Sequence, residues 1–504
     1  MNSVKICIPV CAERAEELIR QVQRAEELAD VIELRFDCLA PSEIQRVAKE
    51  LRPSSKTFLF TFRPKEQGGR RELNLDERLK FWDLIFRTCK FPFLVDIEWD
   101  ARLLLAVDPN KVQRIVSFHD FGGVPDDLDM LWSGISELSK SQDIIKIAVR
   151  AEDITDSIQV WKLLEKARGA GRQVIPIAMG EVGKWTRILG PAHGAYLTYA
   201  PLDVGKATAD GQIAAKELIE TFRVRELDAN TRLYGIIGDP VSSSYSPYIH
   251  NPAFASAGIN ACFVPLQVKD LDAFVSRMVK RETREVEINF SGFSVTMPHK
   301  QAIMRHLDDI DPTAAAIGAV NTVKIEDEKL VGYNTDAHGF VTPLKAYYGD
   351  LDRVRVAILG AGGAARASVF ALKQENADVT VYVRDRDRAE AFAHDLDVPV
   401  NQIGDTSVGD FEIVINCTPV GMRGAREKES LLTADELTNT KFVYDLVTRF
   451  DDTPLIIEAK KAGVPAIGGT EMLIAQGAKQ FEIWTGRQAP LDLIKESVSA
   501  RMDQ

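Results

Sequence analysis

The sequence contains no run of about 18 apolar residues, so we expect no segment that spans a bilayer. It has no excess of basic residues either, because 62 lysines and arginines stand against 74 aspartates and glutamates, a net charge of −12. This balance disfavours nucleic acid or an acidic membrane as a partner. The opening stretch MNSVKICIPVCAERAEEL lacks the basic-then-apolar layout of a signal peptide, and we expect none.

Signatures of metal binding are also missing. The six cysteines are scattered and include no CxxC pair; Cys7 and Cys11 stand close together, but without His or Cys partners at ligand spacing. The seven histidines show no ligand clustering. We therefore expect no metal site and a reducing, cytoplasmic location.

The chain of 504 residues exceeds the usual size of one domain, about 100–200 residues, which predicts two or three domains. Its first 200 residues carry apolar, strand-like runs, most of them separated by segments with the 3.6-residue period of helices. These eight runs are Val4–Val10, Val31–Phe36, Thr57–Phe62, Phe93–Ile97, Ile115–Phe118, Ile144–Val149, Val174–Ala178 and Ala195–Thr198. Eight alternations predict a (β/α)₈ barrel; a doubly wound sheet is the alternative from the pattern alone.

Polar residues recur where these runs end, which is the face that carries the chemistry of a (β/α)₈ barrel. They are Glu33, Arg35, Arg63, Glu98, His119, Lys146, Arg187, Thr208 and Gln212. Lys146 is the least expected of them because it lies inside the apolar strand pattern IIKIAV. A buried ammonium costs several kcal/mol unless it is paired or has lost its proton.

A glycine-rich turn in the last third of the chain indicates a dinucleotide site. The strand-like run 354–359 leads into GAGGAA and a helix, and a second strand-like run, 379–383, follows within about 30 residues. Such a turn lets the backbone approach a pyrophosphate at the helix N-terminus. Arg384 comes next and suits a 2′-phosphate, which favours NADP, whereas Asp385 would favour NAD.

Small polar clusters mark the segment between these regions, namely SSSYSPYIHN, SVTMPHK, GAVNT and GYNTDAHG. Hydroxyl and amide side chains suit a polyhydroxylated substrate. Lys300 and Asp336 lie in two of the clusters, and a lysine near an aspartate can pass a proton to or from an alcohol while a nicotinamide takes the hydride.

Together, the motifs of residues 231–504 resemble shikimate dehydrogenase: Ser-x-Ser-Pro, Val-Thr-x-Pro-x-Lys, Gly-Ala-Val-Asn-Thr, Asn-Thr-Asp, the glycine turn, INCTPVGM and GGTEMLIAQGAKQFEIWTG follow in that order. The resemblance implies that Lys300 and Asp336 form the catalytic pair. The substrate-binding residues that it implies are Ser244, Ser246, Thr296, Asn321 and Gln476. The residues that it implies for NADP are Gly360, Ala361, Gly362, Gly363, Ala364, Arg384, Thr418, Leu446 and Gly469.

Four positions depart from the pattern of that family. Ser243 replaces a usual His, Ser294 a usual Asn, and Val383 a usual Asn, while Thr448 stands where a substrate-contacting Tyr is common. These departures bear on the choice between shikimate and quinate and on the preference for NADP. The alternative reading is a quinate or quinate/shikimate dehydrogenase that uses NAD.

Residues 1–222 resemble type I 3-dehydroquinate dehydratase, a metal-free (β/α)₈ enzyme, through ELRFD, TFRPKEQGG, DIE, SFHDF, KIAV and ADGQ. The resemblance implies that Lys146 forms a Schiff base with the C3 ketone of 3-dehydroquinate. It further implies that His119 removes the C2 proton and helps expel the C1 hydroxyl, and that Glu98 orients the imidazole. The other residues at the strand ends would bind the carboxylate and the hydroxyls, with Thr208 where Ser is usual.

The two resemblances fall on consecutive reactions, since one produces 3-dehydroshikimate and the other reduces it to shikimate. We therefore expect a bifunctional enzyme of the shikimate pathway; a metabolite sensor without activity is the non-enzymatic alternative. The expected domains are a barrel at 1–224, an α/β substrate domain at 231–340, a Rossmann NADP-binding domain at 341–470 and helices at 471–504 that return to the substrate domain.

Overall fold

The computed structural model describes residues 4–102, 108, 111–403, 411–449 and 451–502, with Arg388 described by its backbone alone. The chain divides into two compact units. The first comprises Met1–Leu233, Gly238–Ser242 and Asn260–Asn289, and the second comprises Tyr234–Ile237, Ser243–Ile259 and Phe290–Gln504. Within the described residues, no helix is long and apolar enough to cross a membrane.

The first unit contains an eight-stranded parallel barrel. Its strands are β1 (Ile6–Val10), β2 (Val31–Arg35), β3 (Thr57–Thr61), β4 (Phe93–Glu98), β5 (Val112–Asp120), β6 (Ile144–Arg150), β7 (Val174–Met179) and β8 (Thr198–Tyr199). Their order is β7-β6-β5-β4-β3-β2-β1-β8, and every pair in it is parallel. The Tyr196 amide just before β8 donates to the Val174 carbonyl of β7 at 2.8 Å, which nearly closes the ring. The predicted (β/α)₈ barrel is confirmed, and the doubly wound alternative for this region is wrong.

Helices between the strands cover the outside of the barrel. They are α1 (Ala15–Ala25), α2 (Pro41–Glu50), α3 (Leu75–Thr88), α4 (Leu128–Leu138), α5 (Ser157–Gly169), α6 (Lys184–Leu189) and α7 (Ala215–Glu220). Helix α1 buries Ala15, Leu18, Val22 and Ala25 at the three- and four-residue spacing of one helical face. Asn74 and Glu77 form a reciprocal capping box that fixes where α3 begins.

Most side chains of the barrel strands are apolar and buried, and buried charges among them, such as Asp96 and Lys146, pair with each other. One buried cluster includes Cys7, Leu59, Leu94, Ile115 and Ile144. Burying each large aliphatic side chain is worth roughly 1.5–3 kcal/mol.

A mixed six-stranded sheet follows the barrel in sequence. Its strands are β9 (Arg232–Gly238), β10 (Ala261–Gln267), β11 (Phe290–Val295), β12 (Asp309–Ile310), β13 (Thr322–Glu326) and β14 (Lys329–Tyr333), in the order β10-β9-β11-β13-β14-β12. The accompanying helices are α8 (Ser246–Ser256), α9 (Leu271–Phe274), α10 (Pro312–Ile317) and α11 (Asp336–Tyr348). Strand β13 pairs antiparallel with both β11 and β14, whereas β12 pairs parallel with β14.

A parallel six-stranded sheet forms most of the remaining chain. Its strands are β15 (Arg355–Leu359), β16 (Asp378–Val383), β17 (Val400–Gln402), β18 (Ile413–Asn416), β19 (Phe442–Asp445) and β20 (Ala466–Gly468). The helices are α12 (Gly363–Gln374), α13 (Glu390–Leu396), α14 (Pro454–Lys461), α15 (Gly469–Thr485) and α16 (Leu491–Met502). The order β17-β16-β15-β18-β19-β20 is that of a dinucleotide-binding Rossmann sheet, with its switch point between β15 and β18.

Candidate active sites

A cavity of about 310 Å³ opens at the carboxyl end of the barrel strands. It brings together all the residues predicted for the barrel site except Glu98: Glu33, Arg35, Arg63, His119, Lys146, Arg187, Thr208 and Gln212 line it. These residues come from strands β2, β5 and β6 and from the segments that follow β3, β7 and β8. The parallel barrel therefore collects side chains that lie up to about 180 residues apart in the sequence.

Lys146 is buried on β6, and two groups hold its amine. Its Nζ donates to Asp96 Oδ2 at 3.0 Å and to the Tyr199 hydroxyl at 3.3 Å. Burial, the largest effect, and the charge of Arg63 lower the pKa of Lys146, while Asp96 opposes them. The lowered pKa favours the neutral amine that a nucleophile requires.

His119 is buried at the end of β5 with its ring facing the cavity. Its backbone N–H donates to Gln67 Oε1 at 3.1 Å, and among the described residues its Nδ1 has no hydrogen-bond partner. Burial and the charges of Arg63 and Lys146 hold the pKa of His119 well below its usual range. The imidazole is thus neutral at pH 7, and its Nδ1 is available to hydrogen-bond with a ligand.

The arginines of the cavity are fixed by neighbouring groups. Asp37 accepts two hydrogen bonds from Arg35, at 2.9 and 2.7 Å, and Arg187 donates to the Asp210 carbonyl at 3.1 Å. Burial lowers the pKa of Arg187 to about 10, so its guanidinium remains charged at pH 7. Preoriented guanidinium groups suit a carboxylate, which they bind with two parallel hydrogen bonds.

Glu98 does not line the cavity itself, but it pairs with Arg63, which does, since Arg63 Nε and Glu98 Oε1 lie 3.9 Å apart. Its Oε2 accepts from Arg78 Nη1 at 3.1 Å, and burial raises the pKa of Glu98 to about 7. Among the described contacts none joins Glu98 to His119, and the orienting role of Glu98 stays a prediction. Strand β4 carries two buried carboxylates, Asp96 and Glu98, and Asp96 is the one that contacts Lys146.

Sequence reasoning missed Asp96 and Tyr199. Asp96 is fully buried, pairs with Arg63 and Lys146, and accepts from Ser117 Oγ at 2.5 Å. Burial alone would raise the pKa of Asp96, but Arg63 and Lys146 lower it well below its usual value. A charge inside the apolar run FLVDIE is the same signal that marked Lys146, and it could have identified Asp96.

A disulfide joins Cys11 and Cys38 in the segments that follow β1 and β2. Cys11 lines the cavity, and Cys38 comes directly after Asp37. The expectation of reduced, scattered cysteines did not foresee this pairing. The structure leaves Cys7, Cys89, Cys262 and Cys417 as free thiols.

A second cluster of predicted residues lies in the second unit around Lys300 and Asp336. Lys300 Nζ and Asp336 Oδ2 are 2.5 Å apart, and Asn321 Nδ2 donates to Asp336 Oδ1 at 2.7 Å. Asp336 begins helix α11, where its amide donates to Asn334 Oδ1 at 3.0 Å. One carboxylate is therefore held between an amide and an ammonium, as a proton-transfer pair requires.

The other residues predicted for this site occupy separate elements. The Ser244 hydroxyl donates to Ser246 Oγ at 3.1 Å, at the start of α8. Thr296 follows β11, and its amide donates to the Ile237 carbonyl at 2.9 Å. Gln476 lies on α15, which packs closely against α11 at Gly339. A Cβ at position 339 would stand 2.5 Å from Gln476 Cβ, so only glycine allows the two helices to come this close. The contacts of the described residues do not join these side chains to Lys300 directly.

A buried polar network behind Asn321 is a further feature that sequence reasoning missed. Gln480 of α15 donates to the Asn321 carbonyl at 3.2 Å and to Thr322 Oγ1 at 3.0 Å. Its Oε1 accepts from Ser294 Oγ at 2.8 Å. This network ties α15 to the start of β13 and fixes the backbone that presents Asn321 to Asp336.

A cavity of about 370 Å³ lies at the switch point of the Rossmann sheet. Of the predicted cofactor residues it is lined by Gly360, Ala361, Gly362, Arg384 and Thr418. Gly360 has φ +109°, and a Cβ there would approach Thr418 Cγ2 to 2.9 Å. Helix α12 begins directly after this turn without a side-chain cap, which leaves its amides for an anion. The turn, the helix end and Arg384 therefore fit a dinucleotide with a 2′-phosphate.

The remaining predicted cofactor residues lie outside the lining of this cavity. Gly363 and Ala364 form the first turn of α12. Leu446 and Gly469 contact each other, because a Cβ at Gly469 would stand 2.2 Å from the Leu446 carbonyl oxygen. Among the described residues, no group of three or more His, Cys, Asp or Glu side chains could hold a metal ion.

Comparison with known families divides the chain in the same order as its motifs. Residues 6–229 match type I 3-dehydroquinase, residues 236–323 match the shikimate dehydrogenase substrate binding domain, and residues 469–498 match the shikimate 5'-dehydrogenase C-terminal domain.

Similar proteins extend over one or both parts. The bifunctional 3-dehydroquinate dehydratase/shikimate dehydrogenase of Arabidopsis thaliana, a chloroplastic protein, is 33% identical over 99% of this chain and 85% of its own length. The shikimate dehydrogenase (NADP(+)) of Methanopyrus kandleri is 38% identical over 54% of this chain and 96% of its own. A crystal structure of shikimate dehydrogenase in complex with NADP+ is 36% identical, with a TM-score of 0.51, and covers 55% of this chain and 98% of its own. The chain thus belongs to the family of bifunctional 3-dehydroquinate dehydratases/shikimate dehydrogenases.

Proposed function

We propose that this chain dehydrates 3-dehydroquinate to 3-dehydroshikimate in the barrel cavity and reduces 3-dehydroshikimate to shikimate at Lys300 and Asp336 with NADPH. The observation that carries the proposal is the buried Lys146 amine at the barrel mouth. A neutral histidine and preoriented arginines line the same cavity. Amine, base and carboxylate-binding groups are what dehydration through an imine requires.

In the first reaction, Lys146 attacks the C3 ketone, whose oxygen leaves as water, and forms an imine that withdraws electrons from the neighbouring carbon once it is protonated. His119 then removes the C2 proton and returns it to the departing C1 hydroxyl, which leaves as water. A neutral imidazole can take the C2 proton near pH 7, and the imidazolium formed in that step can give it to the leaving oxygen. Glu33, Arg35, Arg63, Arg187, Thr208 and Gln212 bind the carboxylate and hydroxyls.

We expect Asp96→Asn to shift the pH dependence of imine formation. Only the neutral amine attacks, so the rate falls as the pH drops through the pKa of Lys146, which lies below the usual lysine value of 10.5. The charge of Asp96 raises the pKa of Lys146, so replacing Asp96 with neutral Asn lowers that pKa and moves the fall in rate to lower pH. The measurement is the rate of borohydride trapping with 3-dehydroquinate against pH; Asp120→Asn, at the end of the neighbouring strand, is the control. A limb that stays in place contradicts the prediction.

In the second reaction, the Lys300–Asp336 pair supplies the proton to the carbonyl oxygen that becomes the alcohol. Asn321 orients the aspartate, and Ser244, Ser246, Thr296 and Gln476 bind the substrate carboxylate and hydroxyls. The glycine turn at 360–362 and the first turn of α12 hold the pyrophosphate of the cofactor, together with Thr418, Leu446 and Gly469. When bound, NADPH supplies the hydride.

Arg384→Gln is expected to raise the KM for NADPH by about 10–100-fold, the size of one lost hydrogen bond to a charged group. The KM for NADH should change little, because NADH has no 2′-phosphate for the guanidinium to bind. The measurement is steady-state reduction of 3-dehydroshikimate with each cofactor. Arg386→Gln is the matched control, since Arg386 is exposed in the same turn but does not line the cavity. Equal losses with both cofactors would argue against a 2′-phosphate contact.

A coupled assay tests the whole proposal. The full chain is given 3-dehydroquinate and NADPH, and we expect loss of NADPH absorbance together with the appearance of shikimate. The same protein is then assayed for oxidation of shikimate and quinate with NADP and NAD. Dominant NAD-dependent oxidation of quinate would overturn the second reaction, and an absence of turnover would favour a metabolite sensor.

A cytoplasmic location remains part of this proposal. It rests on the scattered cysteines, while the Cys11–Cys38 disulfide argues for an oxidising compartment. Thiol alkylation of the protein in freshly lysed cells distinguishes a cytoplasmic location from an oxidising compartment, because a cytoplasmic chain should carry label on both Cys11 and Cys38.

A further inference from the structure

Tyr199 contacts the reacting amine, and none of the steps above uses it. It lies on the short strand β8, is 4% exposed and lines the barrel cavity. Its hydroxyl oxygen accepts a hydrogen bond from Lys146 Nζ at 3.3 Å, and Nζ lies 4.4 Å from the centre of its ring. The phenol therefore reaches the nitrogen that attacks the substrate.

The hydroxyl of Tyr199 has its own hydrogen left to donate. The other hydroxyl groups near the site already donate their hydrogens: Ser117 donates to Asp96, Thr61 to Glu33 and Thr208 to Gln212. Since Tyr199 accepts from Lys146, its O–H needs a different acceptor, and no described residue provides one. A buried hydroxyl without an acceptor is costly, and the cavity is the space in which a substrate oxygen can satisfy it.

We propose that Tyr199 is a catalytic residue of imine formation that relays a proton from the Lys146 nitrogen to the C3 oxygen of the substrate. The inference rests on the Schiff-base chemistry proposed above. Attack forms the N–C bond and moves the carbonyl π electrons onto oxygen, which gives an ammonium and an alkoxide on the same carbon. Tyr199 takes one proton from that nitrogen while its own proton passes to the alkoxide. The product is a neutral carbinolamine, and the tyrosine is unchanged.

The environment of Tyr199 suits a relay and not a base. Burial and the charge of Glu33 hold the pKa of Tyr199 well above its usual value, so the phenol stays neutral and has to gain a proton as it gives one. Because Lys146 Nζ is the donor to the hydroxyl, the lone pair of the neutral amine stays available for the ketone. His119 is then reserved for the C2 proton. By microscopic reversibility, Tyr199 also serves the hydrolysis of the product imine.

The test is the rate of imine formation in Tyr199→Phe, which removes the hydroxyl and keeps the ring. The full chain is mixed with 3-dehydroquinate, the reaction is quenched with borohydride at set times, and the adduct is followed by intact mass. We expect formation about 100-fold slower than in the unmodified chain, in the range of a lost proton-transfer group. The final yield on Lys146 should be unchanged. With substrate deuterated at C2, the isotope effect on kcat should fall toward unity, because imine formation becomes rate-limiting.

The matched control is Tyr196→Phe, the same chemical change at a tyrosine outside the cavity that contacts Lys5. It should keep the trapping rate and the isotope effect of the unmodified chain. If Tyr199→Phe behaves like this control, the relay is wrong although the Schiff base stands. If the unmodified chain forms no adduct on Lys146, the proposed function itself fails.

A measurement on the unmodified chain keeps the relay testable even if Tyr199→Phe does not fold. Two protons move in one step of the relay, so the rate of imine formation in mixtures of H₂O and D₂O should follow a curved dependence on the deuterium fraction. A linear dependence, or none, overturns the relay.

Discussion

Lys146→Ala is expected to abolish the dehydratase activity, with a loss of the order of 10⁴-fold or more in kcat, as is seen when a covalent nucleophile is removed. Among the described residues, no other lysine lines the barrel cavity, so no second amine is positioned to form the imine. Arg63 and Arg187 stay protonated and cannot replace it. The dehydrogenase activity of the same chain should be unchanged, since its residues lie in the other unit.

The measurement is borohydride reduction in the presence of 3-dehydroquinate, followed by intact mass. The unmodified chain should gain one substrate-derived adduct, which peptide mapping assigns to Lys146, and Lys146→Ala should gain none. Lys184→Ala is the control, because Lys184 pairs with Glu181 just after β7 and lies outside the cavity lining. An adduct that persists on Lys146→Ala rules out the Schiff base at this residue.

The barrel could be predicted from sequence because its signals are local. Each of the eight apolar runs overlaps a strand, and the helical periods between them fix the alternation. The mixed sheet that contains β11 to β14 was foreseen only as a second α/β segment. Strand β12 has two residues, too few for any periodicity, and the direction in which strands pair is decided by contacts between distant residues.

The site residues show the same contrast between local signals, which the sequence reveals, and contacts between distant residues, which it does not. Residues such as Lys146, a charge inside an apolar strand, and His119, at the end of a strand, carry their own signal, and the parallel barrel then brings them together. The partners do not, because β4 carries two buried carboxylates, Asp96 and Glu98, and only the folded structure decides that Asp96 pairs with Lys146. Likewise Cys11 meets Cys38 because β1 and β2 are neighbours, which no spacing in the sequence reveals.

Asp336→Asn is expected to lower kcat for reduction of 3-dehydroshikimate by about 10²–10⁴-fold, the usual contribution of a positioned acid–base group. The amide keeps the size of the side chain and can still accept from Asn321, but it cannot hold or release the proton that it shares with Lys300. The KM for NADPH should change little, because Asp336 does not line the cofactor cavity. The measurement is steady-state kinetics with the dehydratase activity of the same chain as a check of folding. Asp350→Asn, an exposed carboxylate just beyond the same helix, is the matched control.

The double variant Lys300→Met, Asp336→Asn decides whether the two residues act as one unit. Their side chains lie 2.5 Å apart, so removal of either one already breaks the proton path. We therefore expect the double variant to lose no more activity than the worse single variant, since groups that act together are strongly non-additive. Independent roles, such as substrate binding by Lys300 and proton transfer by Asp336 alone, predict that the two losses multiply. A multiplied loss would leave Asp336 as a catalytic residue and reassign Lys300 to binding.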